Sequence, residues 1–341
     1  MGVDLSSIVE RETLHLNELK HKTIAIDGYN TLYQFLSSIR QPDGSPLKDF
    51  NGHITSHLSG LFYRTLNLIK IGIEIVYVFD GKPPKFKQRE IEERKRKKEE
   101  ARLKMERAIE EGKEVLTYAQ QTSHLTKEMV VEAKELLDGM GIHYVEAPSE
   151  GEAEAAYLAK IKRVYASASQ DYDSLLFGSP YHIRNLSFSG KRKLPRRNEY
   201  VMVYPELIDL NKMLNDLGIN QQQLIMLGML IGTDFNKGVR GIGPKKGLKK
   251  VKEMDYKGFK TYIEEHDETF KHVEVDEVFD FFMNPPAKDI TLERKKVDKK
   301  KIYEILVLKH NFSDNRVEKS INELIEARIN NNTKTITDWF K

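Results

Sequence analysis

Seven carboxylates are the residues of this sequence whose types and spacing best suggest chemistry. Asp27 and Asp80 each close a short β-rich apolar run, Thr23–Asp27 and Ile73–Asp80. Asp171 and Asp173 follow a third run, Val164–Ser167, and Glu150 and Glu152 follow a fourth, Gly141–Val145. Asp234 comes directly after the long apolar segment Leu224–Gly232. In an open α/β sheet ligands bind outside the carboxyl ends of the strands, so these seven side chains are expected to converge on one edge. Like charges a few ångström apart repel and raise each other's pKa values, so such a cluster calls for compensating cations. The chain has no cysteine and no HExxH helix, and hard oxygen ligands suit Mg²⁺ or Mn²⁺. Two such ions roughly 4 Å apart activate water and stabilise the leaving oxygen of a phosphodiester. The reaction indicated is phosphoryl-transfer hydrolysis.

Each acid also has a plainer reading when taken singly. Ser149 with Glu152 fits a capping box, Asp171 and Asp173 fit an ordinary turn, and Asp27 and Asp80 each precede a glycine, as strand-end turns do. The functional case rests on their joint placement. The elements that must produce that placement are the four β-rich runs, separated by helical patterns at Ser56–Lys70, Thr126–Gly139 and Ser149–Lys160. This alternation predicts an α/β fold with a central, mostly parallel twisted sheet flanked by helices. The longest uninterrupted apolar stretch is nine residues, against about 20 for a membrane span, so a soluble, intracellular protein is expected.

The net charge is only +3, yet the basic residues are gathered. Lys85–Arg107 holds 11 basic and 6 acidic residues among 23, in a helix-forming but poorly amphipathic run. Five of the seven residues 191–197 are basic, and residues 237–252 hold seven Lys or Arg and no acid. The last segment includes Gly241-Ile-Gly-Pro-Lys-Lys-Gly247, which does not satisfy the P-loop pattern GxxxxGK(S/T). It offers instead a tight turn with Pro244 at a helix start, suited to holding a nucleic-acid backbone without reading sequence. The plainer reading is a helix–helix turn.

Together these residues resemble the flap endonucleases of the structure-specific 5′ nuclease superfamily, most closely the archaeal members. The motifs are MGVDLSSI, IDGYNTLYQFL, YVFDGKPP, EAPSEGEAEAAYL, QDYDSLLFG, and GTDF followed by GVRGIGPKKGL, with Trp339-Phe340 in the tail; they stand in family order along nearly the whole chain. The resemblance implies a 5′-flap endonuclease cutting near the flap base, with 5′–3′ exonuclease side activity, in Okazaki-fragment maturation and long-patch base-excision repair. It implies two Mg²⁺ (Mn²⁺ substituting) on Asp27, Asp80, Glu150, Glu152, Asp171, Asp173 and Asp234, and catalytic roles for Lys87 and Arg94. A helical arch over 82–130 would pass the 5′ flap. Gly2, exposed once Met1 is removed, would lie near the active site, and Tyr33 would stack on a base. Arg64, Arg240, Gly241, Gly243, Lys245 and Lys246 would contact DNA, the last five within a helix–two-turn–helix element at about 219–256 that also binds K⁺. Ile336, Trp339 and Phe340 would form a clamp-interaction box for the sliding clamp, proliferating cell nuclear antigen.

The implied organisation is a nuclease domain over 1–325, with an N-terminal region over 1–107, an internal region over 122–256 and a helical C-terminal region over 257–325, then a tail over 326–341. A monomer is expected, cytoplasmic and associated with the nucleoid. Two positions depart from the family pattern. Gly28 replaces the usual small residue after the first aspartate, and Thr333 replaces the leading Gln of the clamp box, which implies weaker clamp binding. For Trp339 the alternative is a tail residue folded back on its own domain. Among other functions, a haloacid-dehalogenase-type phosphatase would want a second aspartate where Tyr29 stands. A different superfamily 5′ nuclease or a non-catalytic DNA- and clamp-binding scaffold are the remaining alternatives, and the complete acidic set argues against the scaffold.

Overall fold

In the computed structural model the described residues are 2–87, 92, 96, 100, 125–188, 190–193, 200–266, 270, 273–293 and 295–332. The expectations for Arg94, for most of the arch and for Ile336, Trp339 and Phe340 fall outside them. In chain order the strands are β1 (Glu12–Thr13), β2 (Thr23–Asp27), β3 (Glu74–Phe79), β4 (His143–Glu146), β5 (Ala166–Ala168), β6 (Tyr181–Arg184), β7 (Gly190–Lys193), β8 (Tyr200–Val203) and β9 (Glu206–Asp209). Seven form one sheet in the order β1-β9-β6-β5-β2-β3-β4, while β7 and β8 pair separately. The contacts from β6 across to β4 are all parallel, and β9 and β1 continue the sheet antiparallel.

Side chains alternate across a strand, and both faces of this sheet are covered. Ile24 and Ile26 of β2 and Ile75, Tyr77 and Phe79 of β3 enter one core. Ala25, Val76 and Val78 enter another, shared with Leu158 and Ala159. The first face is covered by α1 (Gly28–Ser38), α2 (Ser56–Ile71) and α3 (Lys127–Gly139), the second by α4 (Gly151–Lys160). Thr126 caps α3 by accepting from Met129 N at 3.2 Å, the start its sequence pattern predicts. After β5 a short helix, α5 (Asp173–Leu176), leads to β6, and α6 (Leu210–Leu217) follows β9.

A further core is built around α7 (Gln221–Ile231), whose Leu224, Leu227 and Leu230 are fully buried. Against it stand α8 (Pro244–Lys252), α9 (Tyr256–His266) and α10 (Val275–Met283), which supply Val251, Phe259 and Phe282. The α10 helix stops at Asn284, ahead of Pro285 and Pro286, as the backbone restriction before proline dictates. The chain then runs through α11 (Lys299–Tyr303) to α12 (Asp314–Asn332), which returns Val317, Ile321 and Leu324 to the core under α2. Among the described residues no helix is long and apolar enough to cross a membrane.

One local expectation fails. The α4 helix begins at Gly151 with Glu150 as its N-cap and no side-chain cap, so Ser149 and Glu152 form no capping box. The Ser149 carbonyl accepts Gly81 N at 2.6 Å, which ties residue 149 to the end of β3, and its hydroxyl is buried without a partner.

Candidate active site

Asp27 is the last residue of β2 and also the N-cap of α1, accepting from Asn30 N at 3.0 Å. Asp80 directly follows β3, and its Oδ1 accepts Gly151 N, the first residue of α4, at 2.7 Å. The close crossing of these two segments explains Gly81, since a Cβ there would meet the Ala147 carbonyl at 1.9 Å. Glu150 occupies the N-cap position of α4 and Glu152 lies in its first turn. Asp171 sits in the turn after β5, and Asp173 opens α5, where its Oδ1 accepts Val3 N at 2.7 Å. Asp234 follows α7. Parallel strands with helices starting at their carboxyl ends thus bring six of the acids to one sheet edge, and the packing of α7 adds the seventh.

The electrostatics are those of a crowded set of like charges. Burial, with the neighbouring Asp80 charge, pushes Asp27 up to about 8. Burial also pushes Glu150 up to about 7 and, with Asp234, Asp173 to about 7. Glu152 is raised well above the usual carboxylate range by burial and by the charges of Asp173, Asp27 and Asp171. Its Oε1 is buried with no hydrogen-bond partner. Lys87 is the nearby counter-charge: its side chain is buried, bonded to Glu150 and 3.5 Å from Asp234 Oδ2. Burial works against its charge, but Glu150 and Asp234 outweigh that and hold its pKa above the usual lysine value. Among the described residues no three acidic or histidine side chains already surround one point as metal ligands. The donor set is nevertheless all oxygen, partly unpartnered and mutually repelling, which fits hard divalent cations.

The other expected residues are distributed around this edge. Gly2 lies against Asp173, where a Cβ would sit 2.5 Å from Oδ2. A Cβ at Gly28 would meet the Phe79 ring at 2.7 Å, which accounts for glycine at that position. Tyr33 is half-buried on α1, one turn beyond Asn30. Arg64 on α2 donates to the Ser187 carbonyl at 2.9 Å. Arg240, Gly241, Gly243, Lys245 and Lys246 occupy the exposed turn from α7 into α8, where Gly241 has φ +80° and Gly243 caps the helix ahead of Pro244. Lys246 Nζ donates to the Gly241 carbonyl at 3.3 Å. One connecting segment, 232–243, carries both Asp234 and this turn.

The bare sequence did not single out Asn30 and Gln34. Gln34 donates to Asn30 Oδ1, and Asn30 Nδ2 donates to Asp171 Oδ2 at 3.1 Å, so α1 orients an acid carried by a different strand. The available signal was the pair of amides at helical spacing, three and seven residues after Asp27.

The family model of the XPG N-terminal domain matches residues 1–101, and that of the XPG I-region matches residues 141–234. Flap endonuclease 1 of Hyperthermus butylicus is 52% identical over 335 residues, covering 96% of this chain and 95% of that protein. Flap endonuclease 1 of Aeropyrum pernix is 47% identical over 350 residues and covers both chains fully. Among solved structures, flap endonuclease-1 from Methanococcus jannaschii superposes with a TM-score of 0.76 at 41% identity, over 96% of this chain and 99% of that one. The catalytic core of Rad2 in complex with DNA substrate gives 0.65 at 25% identity, over 93% and 96% of the two chains.

Proposed function

We propose, for a chain that belongs to the flap endonuclease family and is a structure-specific 5′-flap nuclease, that Asp27, Asp80, Glu150, Glu152, Asp171, Asp173 and Asp234 hold two Mg²⁺ ions, with Mn²⁺ able to substitute. The observation that carries this assignment is the buried, unpartnered Glu152 Oε1 within a set of carboxylates raised by their own proximity. Divalent ions bound there would make water nucleophilic near neutral pH and offset the charge that develops on the phosphodiester. To receive them the acids would have to turn inward while Lys87 gives up Glu150 and Asp234. The Lys87 ammonium would then be available to the scissile phosphate, a role Arg94 would share. Gly2 leaves room beside Asp173 for the approaching backbone, and Tyr33 supplies a ring for a base beside the cut.

The duplex is gripped elsewhere. At the turn between α7 and α8, Arg240, Lys245 and Lys246 meet phosphates together with backbone N–H groups of Gly241 and Gly243 at a helix start. Arg64 adds a contact from α2. The Gly241 carbonyl is one oxygen a K⁺ ion could use. The chain acts as a monomer on branched DNA, in the cytoplasm at the nucleoid, and Ile336, Trp339 and Phe340 carry it to the sliding clamp. The flap-nuclease activity serves Okazaki-fragment maturation and long-patch base-excision repair.

Asp171→Asn tests the metal assignment on labelled 5′-flap DNA with Mg²⁺ or EDTA. Flap binding is expected to persist while Mg²⁺-dependent cleavage falls by orders of magnitude. Unchanged cleavage removes Asp171 from the reaction, and a wild-type chain that binds flaps without cutting them in Mg²⁺ supports the scaffold reading instead.

A further inference from the structure

The turn that carries Asp171 has no helix or strand hydrogen bonds of its own; residues 169–172 are irregular between β5 and α5. It is held from outside. Ser169 N donates to the Ile183 carbonyl at 3.2 Å, and Asp171 N donates to Ser169 Oγ at 3.3 Å. Asn30 reaches the Asp171 side chain from α1, and the backbone on both sides of Asp171 is held by Arg184, the last residue of β6. Its Nε donates to the Gln170 carbonyl at 3.0 Å and its Nη1 to the Tyr172 hydroxyl at 2.7 Å. Its guanidinium carbon lies 4.4 Å from the centre of the buried Tyr172 ring. One planar fork therefore fixes the residues on either side of Asp171. Glu206 of β9, 3.6 Å from Nη1, and Arg11, 3.4 Å from that same carboxylate, complete a small ion network behind it.

We propose that Arg184 is a positioning residue for the metal centre, acting through the backbone of the Asp171 turn rather than through its charge. The inference rests on the two-metal reading above. Its contacts on the turn itself run to a carbonyl, a hydroxyl and a ring, while its ion pair with Glu206 lies behind the turn, so what it transmits to the turn is geometry. A lysine keeps the charge but cannot make the two-pronged contact. Partners that orient metal ligands in this way typically matter by about 10–100-fold in metal affinity.

The experiment measures Mn²⁺ binding to the full chain without DNA, by the loss of the free-ion electron paramagnetic resonance signal, for wild type, Arg184→Met, Arg184→Lys and Asp171→Asn. Arg184→Met is expected to bind Mn²⁺ at least about tenfold more weakly, with Arg184→Lys in between. Melting temperature in EDTA and metal-free affinity for flap DNA should stay close to wild type. Cleavage by Arg184→Met should need more Mg²⁺ and recover when Mg²⁺ is in excess, which damage to the fold would not allow. Wild-type Mn²⁺ affinity in both Arg184 variants, or lost cleavage that excess Mg²⁺ does not restore, overturns the proposal and leaves the metal reading standing. If the wild type itself binds no Mn²⁺, or Asp171→Asn binds it as wild type does, the metal reading falls and this proposal falls with it.

Discussion

Two clusters of charged side chains in this fold use carboxylates to opposite ends. Beneath α2 and α3, His310 Nδ1 meets Asp49 Oδ2 at 3.0 Å and its Nε2 meets Glu132 Oε1 at 3.3 Å. His53 meets the same Asp49 oxygen at 3.0 Å, and Lys309 pairs with Glu132 at 2.5 Å. Burial alone would raise Asp49, but hydrogen bonds from His310 and His53 overcome it and bring it to about 2. Hydrogen bonds from His310 and Lys309 bring Glu132 to about 2 against the effect of burial. At the strand ends the balance is reversed: among the described residues seven carboxylates face one buried ammonium, that of Lys87, and Asp27, Glu150, Glu152 and Asp173 are all raised. A cluster that neutralises itself fastens the fold. One that cannot do so is unfinished until a ligand arrives.

The strongest way to break this contrast is to remove the ammonium at the strand ends. Lys87→Ala should lower single-turnover cleavage of flap DNA in saturating Mg²⁺ by about 10²–10³-fold, the usual cost of losing a preorganised cationic donor. A near-normal rate would mean that Lys87 does no more than stabilise the metal-free cluster.

The next effect is one of sign. A buried carboxyl without compensation costs stability, while a satisfied one adds to it. Glu152→Gln should therefore raise the melting temperature in EDTA, because it removes an acid whose Oε1 has no partner. It should also shrink the further rise that Mg²⁺ brings. Asp49→Asn should lower the melting temperature, because it takes away the shared partner of His310 and His53. Scanning calorimetry of both variants in the same buffer decides the matter, and shifts in one direction for both would abolish the distinction.

The sequence made one of these clusters legible and not the other. Asp27 and Asp80 are each announced locally by a short β-rich run that stops at the aspartate, so both could be placed without tertiary information. The helix beginning at Thr126 could likewise be read from its own pattern. The His310 cluster has no such signal, because its partners stand 261 and 178 residues apart in the chain. Ser149 shows the opposite failure: its spacing to Glu152 is a good cap locally, yet the crossing at Gly81 claims its carbonyl. The fork of Arg184 on the Asp171 turn depends on the pairing of β5 with β6, which spacing alone does not encode.

The smallest expected effect sharpens the comparison through pH. Asp49 and Glu132 are depressed from 3.8 and 4.5, so the stability they contribute is present above those values and is lost as pH falls toward about 2. Hydrogen bonding to Glu132, opposed by burial and aided by Asp49, raises His310 above 6.5, so its contribution is complete below 6.5 and is lost as pH rises through the raised value. All three act together between about pH 4.5 and 6.5. Neighbouring His57 is buried and lowered to about 4, so it weakens the fold as pH falls from 6.5 toward about 4. That loss occurs with or without His310 and largely cancels in a difference. The melting temperature of wild type minus that of His310→Gln should therefore peak in this interval and shrink on both sides. A difference that stays flat from pH 4 to 9 would show that shape holds this cluster together, and the opposition to the strand-end acids would then rest on packing rather than charge.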